Sequence, residues 1–505
     1  MRYSFETLLA LASHAIHLAD AASVLFTDAT IITYNANSSE TNVLYGSSLL
    51  VEGDRIQQIF DGTTPKSYPN GTEVVNATGK IISPGFINTH HHLWQTAFRT
   101  IGSNTTLAEY FVRYGAPGPS SRYFTAEDKY LSQLAGSIEL MNSGTTTVLD
   151  HAHGDSSNET ADAIFTATLD SKLRTYHAFA VQTLPNNYTT TDQMYKLAEI
   201  AADPRLANNN LVKVSLAYDS FDFAPASEIS HLWSLVQSLN LSLVTTHSVG
   251  GPWILGNTPS TLNSLGWLNT SVPVVFSHAS FITASDMAAL RQTNQYISTT
   301  PESEMHYGHS HPGAKMVQDQ AALGVDTHFT FSADMVGQAR IWLQKLRLER
   351  FEEPLLQRSE IPRTNPMSVQ QAFHLMTRAG ALALRNPEIG AIAPGMKADL
   401  VIFDGESPNM LGWSDAVAAI VLHSNVGDVE GVLVGGEWVK KDGKMQHEGY
   451  ADVKRRFLAS AKRIQKIWAE TKWPEVGGEG EAWQDITPYG DVRDVDVMRG
   501  EGTGY

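Results

Sequence analysis

Between residues 80 and 335, short apolar runs alternate with stretches whose apolar positions recur every three or four residues. The runs are IISPGFINTH (81–90), TTTVLDH (145–151), TYHAFA (175–180), VKVSLAYD (212–219), LSLVTTH (241–247), VPVVFSH (272–278), YISTTPE (296–302) and THFTFSAD (327–334). Each suits a strand, and helical patterns lie between several of them; Ile229, Leu232, Val236 and Leu239, for example, share one face before the fifth run. Eight strands in this alternation predict an α/β fold, a (β/α)8 barrel with crossover helices. Outside it, Ser23 to Tyr34 and Ser47 to Phe60 alternate around a Gly53-Asp54 turn, and Gly390 to Asp404 and Gly427 to Lys444 show the same short β runs. These distant stretches are expected to form one small β domain from both ends of the chain. The expected boundaries are 22–83 and 390–450 for that domain, 84–389 for the barrel, and 451–505 for a C-terminal docking helix and tail.

In such a barrel the chemistry sits at the C-terminal ends of the strands. Seven of the eight runs end in His, Asp or Glu. Side chains alternate along a strand, so His90 and His92 of the triplet 90–92 face one side and can grip one metal ion, while His91 faces elsewhere. His247, His278 and Asp334 close the fifth, sixth and eighth runs, giving a divalent ion three imidazoles, one carboxylate and room for a water. A metal brings the pKa of its bound water to about 7, and Asp334 could take that proton and pass it to a leaving group. Each residue has a plainer use, His247 or His278 as a hydrogen-bonded core imidazole and Asp334 as a helix N-cap. Their joint position at strand ends favours the metal site.

Composition narrows the partners. The 505 residues are 42% hydrophobic, enough for a large core and a smaller one, and the net charge is −17. That acidity argues against nucleic acid or an anionic membrane surface as a partner. Cysteine is absent, which removes disulfides, thiolate ligands and a Cys nucleophile together. No apolar stretch is long enough to span a bilayer. Residues 1–21, with Arg2, an apolar stretch from Leu8 to Ala12 and Ala19-Asp20-Ala21, are read as a signal peptide. Acceptor sequons at Asn37, Asn70, Asn76, Asn104, Asn158, Asn187, Asn240 and Asn269 point the same way, to a secreted or lumenal glycoprotein, with the cytoplasm as the alternative.

The motif PGFINTHHH, the His endings of the fifth and sixth runs, Asp334, and the closing block AFHLMTRAGALALRNPEIGAIAPGMKADLVIFD together resemble the amidohydrolase superfamily, over about residues 23–445. The resemblance is closest to the branch of cytosine deaminases, guanine-type deaminases and triazine hydrolases, and it implies that the small domain drawn from both ends of the chain is a β-sandwich beside the (β/α)8 barrel. It implies that His90, His92, His247 and Asp334 bind one metal, zinc or else Fe2+ or Mn2+, with His278 beside the hydroxide and substrate. Dinuclear members of the family use a carboxylated Lys at the end of the fourth strand; here Lys213 stands near the beginning of that run and Asp219 at its end, which favours a mononuclear site. Deaminases of the branch carry a Glu three residues after the fifth-strand His, and this chain has Gly250 there. The segment TTPESEMHYGHSHP offers Glu302 and Glu304 as replacements, and Glu302 is expected to face the substrate and do acid–base work.

The implied activity is hydrolysis of carbon–nitrogen bonds, other than peptide bonds, in a small cyclic amide or amidine, with hydrolytic deamination leading. Amide or lactam opening, displacement of a ring substituent, metal-dependent decarboxylation and a metal-free binding protein are the alternatives. Asp150, His151 and His153 are expected to orient ligands or touch substrate, and Trp94 and Gln95 to line the pocket mouth or pack. Met305 to Pro312 could be a mobile substrate loop. Val453, Phe457, Ala461, Ile464 and Trp468 share a helix face suited to docking on the barrel or on a second copy in a homodimer.

Overall fold

The computed structural model describes residues 23–35, 40–115, 119–253, 255–476 and 493–497, with only the backbone of Ser121. The signal peptide expected over 1–21, the sequon at Asn37 and most of the tail lie outside the described residues.

Eight parallel strands form one sheet in sequence order: Phe86–His91, Thr145–Ala152, Arg174–Val181, Val212–Tyr218, Val244–Ser248, Val274–His278, Tyr296–Thr299 and Ala321–Leu323. A parallel bridge between His91 and Asp326 joins the last strand's extension to the first and nearly closes the barrel. The strands are buried almost throughout, as expected where helices cover one face and side chains fill the other. The second sheet has nine strands among the described residues and draws on both ends of the chain: Ser23–Asn35, Glu40–Glu52, Arg55–Phe60, Glu73–Asn76 and Lys80–Pro84 from one, Leu400–Asp404, Val429–Val434, Glu437–Lys441 and Lys444–Met445 from the other. Lys80–Pro84 and Leu400–Asp404 pair antiparallel at the join.

The run 81–90 therefore splits between two sheets. Gly85 is the crossing point, where a Cβ would lie 2.0 Å from Thr146 Oγ1 and could not be accommodated. A second tie is the buried bidentate pair of Arg174, at the start of the third barrel strand, with Asp399 at 2.7 and 2.9 Å. Asp399 also accepts from Gly435 N, so one carboxylate links the barrel to two strands of the outer sheet.

The eighth strand differs from expectation. THFTFSAD (327–334) has the aromatic and β-branched content of a strand but forms turns and bends, whereas Ala321–Leu323, made of good helix formers, is the strand. Pairing with Tyr296–Thr299 on one side and closure onto the first strand on the other override that local preference. The C-terminal helix Tyr450–Glu470 lies on the barrel. Its Trp468 ring is 4.7 Å from Phe98 and its indole donates to Arg113 O, while Gln465 donates to Ala97 O, directly behind the histidine triplet.

Candidate metal centre

The first strand delivers its three histidines to two environments. His90 and His92 lie edge to face with ring centres 4.8 Å apart, and His91 turns away to stack on His328 at 4.6 Å while accepting from Asn88 Nδ2. His247 at the fifth strand and His278 at the sixth complete a ring of four imidazoles, their centres 4.8 and 5.1 Å from that of His90. The carboxylate among them is Asp326. Its Oδ1 lies 3.1 Å from His92 Nε2 and 3.4 Å from His90 Nε2, and its Oδ2 lies 3.9 Å from His278 Nε2.

Every ring is oriented from behind. His92 Nδ1 is 2.9 Å from the carbonyl of His151, His247 Nδ1 is 2.8 Å from Asp219, and His278 Nδ1 is 3.2 Å from Glu304 and 3.0 Å from Thr300 Oγ1. A carbonyl and an ionised carboxylate only accept, so these three Nδ1 atoms carry the proton and the Nε2 atoms present lone pairs. His90 Nδ1 meets Ser277 Oγ at 2.7 Å, and its Nε2 is buried without a hydrogen-bond partner. The Nε2 atoms of His92 and His247 stand 3.3 Å apart, an approach of two acceptors that neither can satisfy. Converging lone pairs beside a carboxylate are a cation site, and tethering of the far nitrogen is the usual second layer of such sites. Burial holds His90 well below the ordinary histidine range and lowers His92, which keeps both in the neutral, ligating form. The donor set, imidazole nitrogens with one carboxylate, fits a divalent transition ion.

The expectation that Asp334 supplies the carboxylate is corrected by this geometry. Asp334 caps the helix Met335–Glu352, accepting from Val336 N at 3.0 Å, and burial raises its carboxyl. The chain leaves the barrel after Leu323, so the acid at the strand end is Asp326. Gly324 permits the approach: a Cβ there would lie 2.9 Å from His90 N and 2.8 Å from Ser298 Oγ. The sequence signal is the AALGVD run (321–326), an apolar stretch ending in Asp just before THFTFSAD.

Glu302 is corrected as well. Its carboxylate accepts from Gln338 Nε2 at 3.0 Å and is raised by burial, and among the described residues it forms no hydrogen bond or ion pair with the four imidazoles. Glu304, two residues on, turns inward instead. It is fully buried and receives Thr300 N at 2.9 Å, His278 Nδ1 and His311 Nε2 at 2.5 Å. His278 itself has φ of 70°, a left-handed backbone that costs a β-carbon residue about 1–3 kcal/mol and must be held by its surroundings.

Gly250 carries no acid, and its N donates to Leu255 O at 3.0 Å. Asp219, at the fourth strand's end, accepts from both the backbone N and the Nδ1 of His247, while Lys213 is exposed near the start of that strand, with its ammonium 5.4 Å from the Tyr176 ring. Asp150 accepts from Leu93 N and Gln133 Nε2 and is pushed up to about 6 by burial; it positions the backbone just past His92. Trp94 and Gln95 are fully buried, Trp94 under the Lys129 ammonium at 3.3 Å and Gln95 donating to Tyr110 OH.

A model of the amidohydrolase family matches residues 81–439. The chain is 23% identical to a 5-methylthioadenosine/S-adenosylhomocysteine deaminase of Lawsonia intracellularis, covering 83% of this chain and 92% of the relative. It is 24% identical to a 5'-deoxyadenosine deaminase of Methanobrevibacter smithii over 83% of this chain and 94% of that one. Among solved structures, an adenosine deaminase from Xanthomonas campestris with bound zinc superposes with TM-score 0.75 at 15% identity, covering 88% of this chain and 99% of that one. An atrazine chlorohydrolase from Arthrobacter aurescens in complex with zinc gives 0.73 at 16% identity, covering 87% and 100%.

Proposed function

Since the chain belongs to the amidohydrolase family and is a metal-dependent hydrolase of non-peptide C–N bonds, we propose that it deaminates an aminated nitrogen heterocycle, a 6-aminopurine nucleoside in particular. The observation that carries this reading is the convergence of tethered, lone-pair-bearing Nε2 atoms on Asp326. The deaminases among the relatives support the choice of leaving group and of substrate class.

His90, His92, His247 and Asp326 would hold one ion, zinc by the chemistry of the donors and by analogy with the zinc-bound neighbours. Once bound, the ion supplies Lewis acidity that activates a water for attack on the amidine carbon. The chain's own residues handle the protons. His278, its Nδ1 proton fixed on Glu304, offers Nε2 to accept a proton and return it to the departing amine. Asp326 Oδ2 is fixed by Ser303 Oγ at 2.5 Å, so the carboxylate keeps one orientation while Oδ1 faces the histidines. In the balance, a C–O bond forms, the exocyclic C–N bond breaks, and water's two hydrogens end on the ring system and on ammonia.

Purified protein loaded with zinc should carry one equivalent of metal and release ammonia from 5'-methylthioadenosine or adenosine. A folded protein that binds no divalent ion, or a metal-loaded one that releases no ammonia from either nucleoside, would sink the proposal.

The secreted or lumenal setting remains our reading too. It is supported by the exposure of every described sequon asparagine: Asn70, Asn76, Asn104, Asn158, Asn187, Asn240 and Asn269. Protein made in a eukaryotic secretory host should lose several glycan masses on endoglycosidase treatment; an unchanged intact mass counts against it.

A further inference from the structure

His153 follows the second strand and stands against the metal cluster, its ring 4.0 Å from that of His92 and 6.4 Å from that of His247. Its tautomer is fixed. Trp94 Nε1 can only donate, and it does so to His153 Nδ1 at 3.0 Å, so the neutral ring carries its hydrogen on Nε2. The hydrogen bonds that His153 makes among the described residues run through Nδ1, N and O, and leave Nε2–H without a protein acceptor.

The mounting is rigid on every side. His153 N donates to His151 O at 2.9 Å, and His153 O accepts from Gln182 Nε2 at 3.0 Å. Trp94 is fully buried under Lys129. Gly154 is bare where a Cβ would lie 2.6 Å from the indole, so the chain can pass close enough to make the Trp94–His153 bond. A donor held this firmly next to a ligand histidine, with its hydrogen unspent, is built for something that arrives from outside the protein.

We propose that His153 Nε2–H donates to the substrate's ring nitrogen next to the attacked carbon, the role left open by Gly250. The inference rests on the deamination reading. Attack on an amidine carbon drives charge onto that neighbouring nitrogen, and a neutral imidazole N–H pointed at it strengthens as the charge grows. The site thus selects heterocycles with an acceptor beside the amine-bearing carbon and disfavours those with C–H there, because the bound ligand would cover the donor and leave it without a partner.

The test uses the zinc-loaded enzyme turning over 5'-methylthioadenosine, with its 1-deaza and 3-deaza analogues as competitive inhibitors. In the wild type the 1-deaza compound should bind about 10-fold or more weakly than the 3-deaza compound. In His153→Leu that ratio should fall toward unity while metal content holds, and kcat/KM should drop ~10–100-fold. His153→Gln, whose amide N–H reaches nearly the place of Nε2–H, should restore much of both. A purely structural role would weaken both analogues alike and leave the ratio standing, which overturns the proposal. So does a ratio that collapses in His309→Leu and persists in His153→Leu, since His309, 4.7 Å from His278 with both ring nitrogens buried and unpartnered, is the competing donor. A wild type that releases no ammonia removes the deamination reading and this inference together; turnover with an unmoved ratio removes this inference alone.

Discussion

Asp326→Asn should strip the protein of its tightly bound metal and lower kcat/KM by about 10²–10⁴-fold, the range attached to a positioned proton-transfer group. Its amide would put an N–H or a neutral oxygen where an anion now faces His90 and His92 at 3.4 and 3.1 Å. The loss is twofold, since the negative charge that balances a dication goes and Ser303 no longer fixes a carboxylate. Asp334→Asn is the matched control. Asparagine is as good an N-cap as aspartate, so the Met335–Glu352 helix should keep its start and the enzyme its metal and turnover. Metal analysis of both variants, beside steady-state rates, decides the matter: metal lost from Asp334→Asn and kept in Asp326→Asn would reverse the assignment.

The two aspartates show where sequence reading succeeds and where it stops. Histidines are chemically loud, and His90, His247 and His278 close runs that really are strands while His92 follows two residues after the first, so the strand pattern brought four of the five converging side chains into view. The fifth depended on locating a strand of three residues. Ala321–Leu323 has no intrinsic strand preference and exists because the barrel must close, through a pairing with Tyr296–Thr299 and a bridge from Asp326 back to His91. Those are contacts between positions far apart in the chain, and local composition does not encode them. THFTFSAD looked better by every local measure and became a loop that ends in a helix cap.

The replacement acid failed in a narrower way. Glu302 and Glu304 were both in view, and a helix beginning at Pro301 decides between them. Two residues apart on a helix means about 200° of rotation, so only one can face the imidazoles. The oriented partners behind the histidines were also hard to see beforehand. Asp219 was legible as a strand-end residue, but its double hydrogen bond to His247 depends on the stagger between the fourth and fifth strands.

Glu304→Gln should be the second most damaging change, lowering kcat by about 10²–10⁴-fold while leaving metal content near that of the wild type. Burial alone would push the Glu304 carboxyl up, but His311 and His278 outweigh it and bring it down to about 2, so it is an anion at all working pH values and not itself a proton carrier. Its task is to keep the His278 proton on Nδ1 and to stabilise the ring when Nε2 takes up a second one. Glutamine could present its NH2 to His278 and favour the wrong tautomer, or its carbonyl and supply no charge; either way the imidazolium loses its counterion. The stability consequence has a definite sign. A carboxyl depressed on folding stabilises the fold above its ordinary value of about 4.5, and that contribution is lost as pH falls from there through about 2. Wild type should therefore exceed Glu304→Gln in urea midpoint at pH 7, with the gap closing below about pH 4.5. Full turnover in Glu304→Gln, or a gap that widens in acid, would mean that His278 works without its buried carboxylate.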